Sequence, residues 1–420
     1  MSYSNIGRVS IAAESTFGTA SGGTYYDVRI VEGSLQIKLG QTMLENRSIV
    51  ARLHDTNAMV QGSKFGTTVS FDMYVEGLGT GLVSGQAYTH PLTSNAVPFY
   101  AGLGRLSNGD LTLDGSVVAD NLSTSSAINI TNGHGVRFSA GGAVVINGEM
   151  REIESVATGG DPDVITLKMA LSAAPAQNDV VYNCATYYVD DSFYGTDSYS
   201  NTLRVIGGYA NDQFLFVGCV PTIEFTTDLD GLLIAKVTYH CASWSKTSGL
   251  TLAGASYLGG GPLAAKSGYV WYQTVATSTR AYLTCDKFTA NPGLTAIPVR
   301  SLEGVQTVSR FRQGKAKPTC SFEFPILNGD GTPFDTMFTD FGNNAAKAVL
   351  LQFGTAPIVG GVGTGVVGLS VPNARFSEPP TRTTGLDLSR VSASFYGDED
   401  ADTSGNATDL QYSCFRIHVA

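Results

Sequence analysis

Charge is scarce in this chain. Of its 420 residues only 15% are Asp, Glu, Lys or Arg, and acidic residues outnumber basic ones by 36 to 26, a formal net charge of −10. Tight wrapping of nucleic acid needs a basic surface, so that class is excluded. Nucleic acid passing close by without adhering is not. Long apolar runs are missing as well. No stretch approaches the roughly 20 residues of a membrane-spanning helix. Met1-Ser2-Tyr3-Ser4-Asn5 does not lead from a basic region into an apolar one. The expectation is a soluble, unprocessed chain with no membrane partner. Cysteine occurs six times, at Cys184, Cys219, Cys241, Cys285, Cys320 and Cys414, but never as Cys-x-x-Cys. Zinc sites usually use such pairs. With no leader-like opening, these cysteines read as free, buried thiols.

Recognisable chemistry is equally thin. No two of His54, His90, His134, His240 and His418 have metal-ligand spacing. There is no P-loop, and no Gly-x-Ser-x-Gly ends a predicted strand ahead of a helix, where a hydrolase nucleophile would sit. Gly363-Thr364-Gly365-Val366-Val367-Gly368 fits Gly-x-Gly-x-x-Gly. However, Ser370-Val371-Pro372 follows as a strand, not as the helix whose N-terminus would hold a pyrophosphate. Asp398, Glu399, Asp400 and Asp402 lack calcium-loop spacing and read as a solvated hairpin tip. A carbohydrate-active sandwich would pair carboxylates in a cleft flanked by tryptophans. This chain has only Trp244 and Trp271, and no recognisable carboxylate pair. The reading is therefore not an enzyme, with no cofactor and no metal.

What is abundant is glycine, 49 residues, set between short alternating segments. That composition suits many strands joined by turns. One pattern occurs twice. Val217-Gly218-Cys219-Val220-Pro221, Gly231-Leu232 and Ala235–Tyr239 recur as Val367-Gly368-Leu369-Ser370-Val371-Pro372, Gly385-Leu386 and Ser389–Ala393. Each copy reads as a strand opened by Val-Pro, a polar turn, and a second strand. In the closing strands apolar and polar residues alternate with period two, the mark of a half-buried strand. A second echo precedes it. Val69, Phe71 and Met73 alternate with polar residues, as do Cys320, Phe322 and Phe324. The halves are offset by 251 residues at Phe71 and Phe322 but by 151 at Pro221 and Pro372. The first copy therefore carries about 100 extra residues, between about 90 and 195.

These matches divide the chain into a first module at 1–248, a linker at 249–262 and a second module at 263–420. The insertion, at about 106–190, reads as a small all-β unit with strands at Val136/Phe138, Ala143–Ile146, Met150–Val156, Val164–Leu167 and Val180–Tyr182. Thr332, Pro333 and the spacing Phe334, Met337, Phe338, Phe341 predict a helix ending at Gly342. A shorter counterpart is expected at Pro98–Gly104. A long charged stretch runs from Glu45 through Arg47 to Lys64, and its echo holds Arg310, Arg312, Lys315 and Lys317. Loops of this length are usually functional or disordered. With only Phe311 interleaved, the basic echo is a poor stacking platform for single strands. On an acidic protein it fits an acidic patch of an identical neighbour.

These residues resemble a family. Glu14-Ser15-Thr16-Phe17-Gly18-Thr19, the loop at Glu45-Asn46-Arg47-Ser48, the strand at Thr67–Val75 and the late Val-Gly-Cys and Gly-Leu strands are similar in kind and order to tail tube proteins of long-tailed, siphophage-like bacteriophages. The resemblance covers most of residues 1–250. It implies a mainly β fold: two tandem tail-tube β-sandwich modules, each with a flanking short helix, plus the inserted β unit. It further implies a structural virion protein of the phage tail, assembled in the host cytoplasm. Its partners would be itself, in homotrimeric pseudo-hexameric rings stacked into a tube, and the tape-measure, terminator and distal tail proteins. Viral DNA would pass through the lumen without specific binding, and the lumen is expected to be acidic. The insertion is expected outside the tube, where removing about 108–188 would leave assembly intact. The charged loops are expected to reach a neighbouring subunit or ring. The rival classes are another β-rich virion protein, a head decoration or tail terminator, and a β-sandwich carbohydrate-binding module.

Overall fold

Alternation decides the architecture. The strand Thr67–Tyr74 turns Val69, Phe71 and Met73 inward and leaves Thr68, Ser70, Asp72 and Tyr74 on the opposite face. Ile234–Cys241 buries Ala235, Val237, Tyr239 and Cys241 in the same way. In the second half, Thr319–Ile326 buries Cys320, Phe322 and Phe324, and Ser389–Gly397 buries Val391, Ala393 and Phe395. Strands apolar on one face only make a sheet covered on one side. A computed structural model describes residues 8–40, 43–45, 59–61, 66–77, 95–107, 116–189, 199–207, 212–228, 231–248, 257, 262–263, 268–274, 280–283, 287–300, 308–314, 316–326, 332–356, 365–384, 389–398, 410 and 413–420. The chain is mainly β, in antiparallel sheets.

Seven strand pairings of the first half recur in the second. Arg8–Ala13 pairs with Tyr26–Val28 and Asn201–Ile206, as Gly268–Thr274 pairs with Arg280–Leu283 and Lys347–Ala356. Asn201–Ile206 pairs with the long strand Gln213–Asp228, as Lys347–Ala356 pairs with Gly365–Phe376. Each long strand then takes two further partners in succession. They are Ser243–Thr247 and Ile234–Cys241 in the first half, Arg416–Val419 and Ser389–Gly397 in the second. Beyond these lie Thr67–Tyr74 and Gln36–Lys38, matched by Thr319–Ile326 and Lys287–Asn291. Phe71 and Phe322 thus stand in corresponding strands, as do Pro221 and Pro372.

The prolines do not open their strands, as the sequence had suggested. Pro221 lies inside Gln213–Asp228, where the strand has left Asn201–Ile206 and pairs only with Ile234–Cys241. One flank of the strand is therefore without a paired strand at Pro221 among the described residues, the setting in which a strand tolerates a residue that lacks an N–H. Gly218, at φ +60°, makes the bend that carries the strand from one sheet to the next. A side chain at this position would meet Ala242 and Phe17.

Both expected helices form, over Ala96–Leu103 and Thr332–Gly342. The first is buried on nearly every side, and its Phe99 packs on Tyr187 and Phe225. The second buries Met337 and leaves Phe338 exposed. One core serves both halves, with Phe225 stacked on Phe415. Leu263, just past the expected linker, is buried and hydrogen-bonds through its backbone to Val75 and Leu233.

The insertion is a six-stranded unit in the order Ser116–Val117, Val180–Asn183, Ala143–Ile146, Glu149–Ala157, Asp163–Leu167, Ala127–Ile130. A bridge between Val118 and Ile130 joins the last strand to the first and closes a barrel. Its core is its own, with Ile128, Val144, Ile146, Ile153 and Ile165 among its members. The expected strand at Val136 and Phe138 is instead a 3-10 turn over Gly135–Arg137. The Asp163 carboxylate accepts the Gly135 N–H at 2.8 Å and holds that turn. The chain enters and leaves the barrel region through Gly104–Ser107 and Ala185–Val189, which pair with each other. Ala185–Val189 also pairs with Arg416–Val419, so the first half adds two strands to the sheet of the second.

Candidate assembly interface

The recurring strands join into one wall. Its order is Gln36–Lys38, Thr67–Tyr74, Ile234–Cys241, residues 220–228, Lys287–Asn291, Thr319–Ile326, Ser389–Gly397 and Thr381–Thr384. The two halves meet where Phe225 faces Ala290 and Thr226 faces Thr289. One face of the wall covers the core. The other carries Ser70, Thr222, Thr238, Thr289, Ser321, Ser392 and Ser394. A groove of about 540 Å³ on that polar face is lined by Gln36, Asp72, Glu224, Lys236 and Asn291 of the wall and by Thr295 of the segment that follows Lys287–Asn291. Charges on this face are paired across strands. Lys236 stands opposite both Asp72 and Glu224, Lys287 stands opposite Glu323, and Arg390 lies 3.7 Å from Glu323. Acidic and basic side chains thus face one another across neighbouring strands on the described part of this face.

Two wall edges pair with nothing further among the described residues: Gln36–Lys38 at one end and Thr381–Thr384 at the other. They correspond to the two strands that meet at the internal junction. Gln36–Lys38 stands to Thr67–Tyr74 as Lys287–Asn291 stands to Thr319–Ile326. Thr381–Thr384 pairs with Ser389–Gly397 as 225–228 approaches Ile234–Cys241. Open edges invite further strand pairing.

A hairpin straps the internal junction. Ala296–Arg300 pairs with Val308–Gln313, and Phe311 is buried against Val220 and Ala242 of the first half. The Phe17 ring lies 6.2 Å from Phe311 and the His240 ring 6.4 Å. Of the charged candidates, Arg312 and Lys317 are exposed, and Arg310 faces Val299 in the hairpin register. Glu45 lies in the matching hairpin Met43–Glu45 with Met59–Gln61, opposite Met59. Arg47, Lys64 and Lys315 fall outside the described residues. Phe311, which a nucleic-acid reading discounted as a lone aromatic, is the anchor. An aromatic between two arginines in a short hairpin was its only signal.

Glu14 of the opening motif has a structural role. Its carboxylate accepts the N–H groups of Gly18 and Gly218, at 3.0 and 2.9 Å, and the hydroxyls of Ser200 and Thr202. Burial raises its pKa and these hydrogen bonds oppose the rise. The motif thereby pins the N-terminal segment to the bend at Gly218 and sets Phe17 beside Phe311.

The barrel docks on the second half through an apolar patch and a buried ionic cluster. Ala143, Val145 and Met150 meet Trp271, Leu350 and Val366, and Arg151 stacks 3.6 Å over the Trp271 ring. Gly368, the last glycine of the dinucleotide-like pattern, lies in a strand where a side chain would strike Met150. Beside this patch Glu152 accepts from Arg416 at 2.8 Å and from Ser370 at 2.5 Å, with His418 Nε2 at 3.2 Å. Serine, histidine and glutamate here do not form a hydrolase relay. Ser370 and Glu152 both sit at Nε2, while Nδ1 meets Thr186 at 2.9 Å. A relay needs the acid on the nitrogen away from the serine, and Glu152, Ser370 and His418 are all buried. No group of three or more metal-ligating side chains is found among the described residues. No protein-family model matches this chain, and no curated protein matches it.

Proposed function

We propose that this chain is a structural virion protein, a tail tube subunit that assembles through its two open wall edges. The observation that carries this reading is the internal junction. The chain already joins two similarly connected halves edge to edge and leaves one edge of each kind open. A second copy offers its Thr381–Thr384 edge to the Gln36–Lys38 edge of the first, repeating the contact between 225–228 and Lys287–Asn291. Repetition of one heterologous contact closes a ring. Three chains, each bearing two modules, supply roughly 24 wall strands and leave the wall itself without an open edge. The polar face then lines the lumen. Its hydroxyls and cross-paired charges offer passing DNA no basic track to adhere to. The paired strands Met43–Glu45 and Met59–Gln61 take the place at the ring contact that the Phe311 hairpin takes inside the chain.

The internal register sets the test. Thr226 faces Thr289 at the junction, and the corresponding positions are Thr383 and Gln36. A mixture of Gln36→Cys and Thr383→Cys chains is expected to form a covalent dimer on mild oxidation, and the double variant closed trimers. Electron micrographs of the unmodified protein are expected to show tubes with threefold outer features. Monomers that never cross-link, or rings of six chains, would overturn the reading.

A further inference from the structure

Five of the six cysteines lie among the described residues, and all five are buried and outside any disulfide. Two of them meet. The sulfurs of Cys219 and Cys241 are 2.9 Å apart. The register that sets Val220 opposite His240 brings these two residues face to face one step further on. Directly opposed residues of antiparallel strands have Cα atoms about 4.5–5.5 Å apart, within the roughly 4.4–6.8 Å that a disulfide spans. We infer that Cys219 and Cys241 are a redox modification site that closes to a cross-strand disulfide by exchange with a small-molecule disulfide. Both S–H bonds break and one S–S bond forms. Two electrons and two protons pass to the oxidant, for example oxidised glutathione, which leaves as two thiols.

The position gives the bridge a structural consequence. Cys219 follows Gly218, where the long strand bends between sheets and Glu14 holds the N-terminal segment. Cys241 ends the neighbouring wall strand. The bridge would staple the wall to its covering sheet at that bend. Burial pushes the Cys219 thiol well above its ordinary range, and both side chains are no more than 1% exposed. Exchange therefore proceeds through transient opening of the strand pair, and the folded chain oxidises slowly. None of this depends on the assembly reading.

The test uses the full chain. It is refolded from denaturant in an oxidising glutathione buffer. Free thiols are then blocked with a maleimide under denaturing conditions, and unreduced peptides are mapped by mass spectrometry. The expected result is a peptide linked between Cys219 and Cys241, with Cys184, Cys320 and Cys414 carrying the label. The native chain held for days in the same buffer is expected to gain the same link. Its thermal midpoint is expected to rise by several degrees, and that of a Cys219→Ala/Cys241→Ala chain is expected not to move. Absence of the linked peptide in both treatments overturns the inference. So does a bridge between other cysteines in its place, or an equal rise in the double variant.

Discussion

Glu152 carries its charge where water does not reach, and it is the residue on which the barrel's seat depends. Arg416, Ser370 and His418 all converge on one of its oxygens. Removing one partner of a buried ion pair leaves the other uncompensated, at a cost of about 3–5 kcal/mol. Glu152→Ala is expected to lose stability on that scale in urea unfolding, whereas Glu154→Ala, on the exposed side of the same strand, is expected to lose little. The cluster also sets a pH response. Burial raises the Glu152 pKa, but Arg416 and His418 outweigh it and hold the carboxyl well below its usual range. Its contribution is present above the unfolded value of about 4.3 and fades as pH falls below it. Burial lowers the His418 pKa despite Glu152 beside it. The unfolded histidine takes up a proton below about pH 6.5 and the folded one resists, so stability falls with acid from there downward. His418→Asn is expected to flatten the stability curve between about pH 6.5 and 5. It will not level the curve, since burial also holds His134 and His240 low.

Among the elements, the Phe311 hairpin is the least self-sufficient. A two-stranded ribbon is marginal alone, and this one is held by a single buried ring against Val220 and Ala242. Phe311→Ala is expected to cost about 3 kcal/mol. It should also release amide-exchange protection over 296–300 and 308–313 while the wall strands stay protected, which hydrogen exchange would read directly. The sequence showed the strands of this region well and their partners poorly, for a physical reason. Alternation of Val69, Phe71 and Met73 reports which face is buried, and burial is a property of one strand. Which strand lies alongside is decided by the bend at Gly218 and by the long strand's change of partners, and neither leaves a periodic trace. The same limit hid the short barrel strands Ser116–Val117 and Ala127–Ile130, and the addition of Ala185–Val189 to the far sheet. The second helix was legible because a 3.6-residue stripe with a cap is a local signal; the first, buried on nearly every side, has no such stripe and was expected only as the second's counterpart in the repeat. Phe311 was not legible, because its pocket is made by residues far away in sequence.

For the whole molecule, the docked barrel changes one expectation. An insertion lying free outside a tube could be cut away, but this one covers Trp271, Leu350 and Val366. Replacing residues 116–183 by a short glycine-serine link is expected to yield a chain that self-associates without order, as sedimentation would show. Polar substitutions at Leu350 and Val366 in the shortened chain are expected to restore solubility, and tubes with it. The strands that the first half gives to the second have a consequence in time. Ala185–Val189 waits for Arg416–Val419, which follows about 230 residues later. At about 5–20 residues synthesised per second, one side of the new ribbon stays bare for roughly ten to fifty seconds. The barrel, closed and with its own core, is complete long before its seat exists. A nascent chain therefore exposes the barrel's docking face to its neighbours on a polysome. How fast the ribosome crosses the second half, as much as any equilibrium stability, sets how many chains reach the folded state.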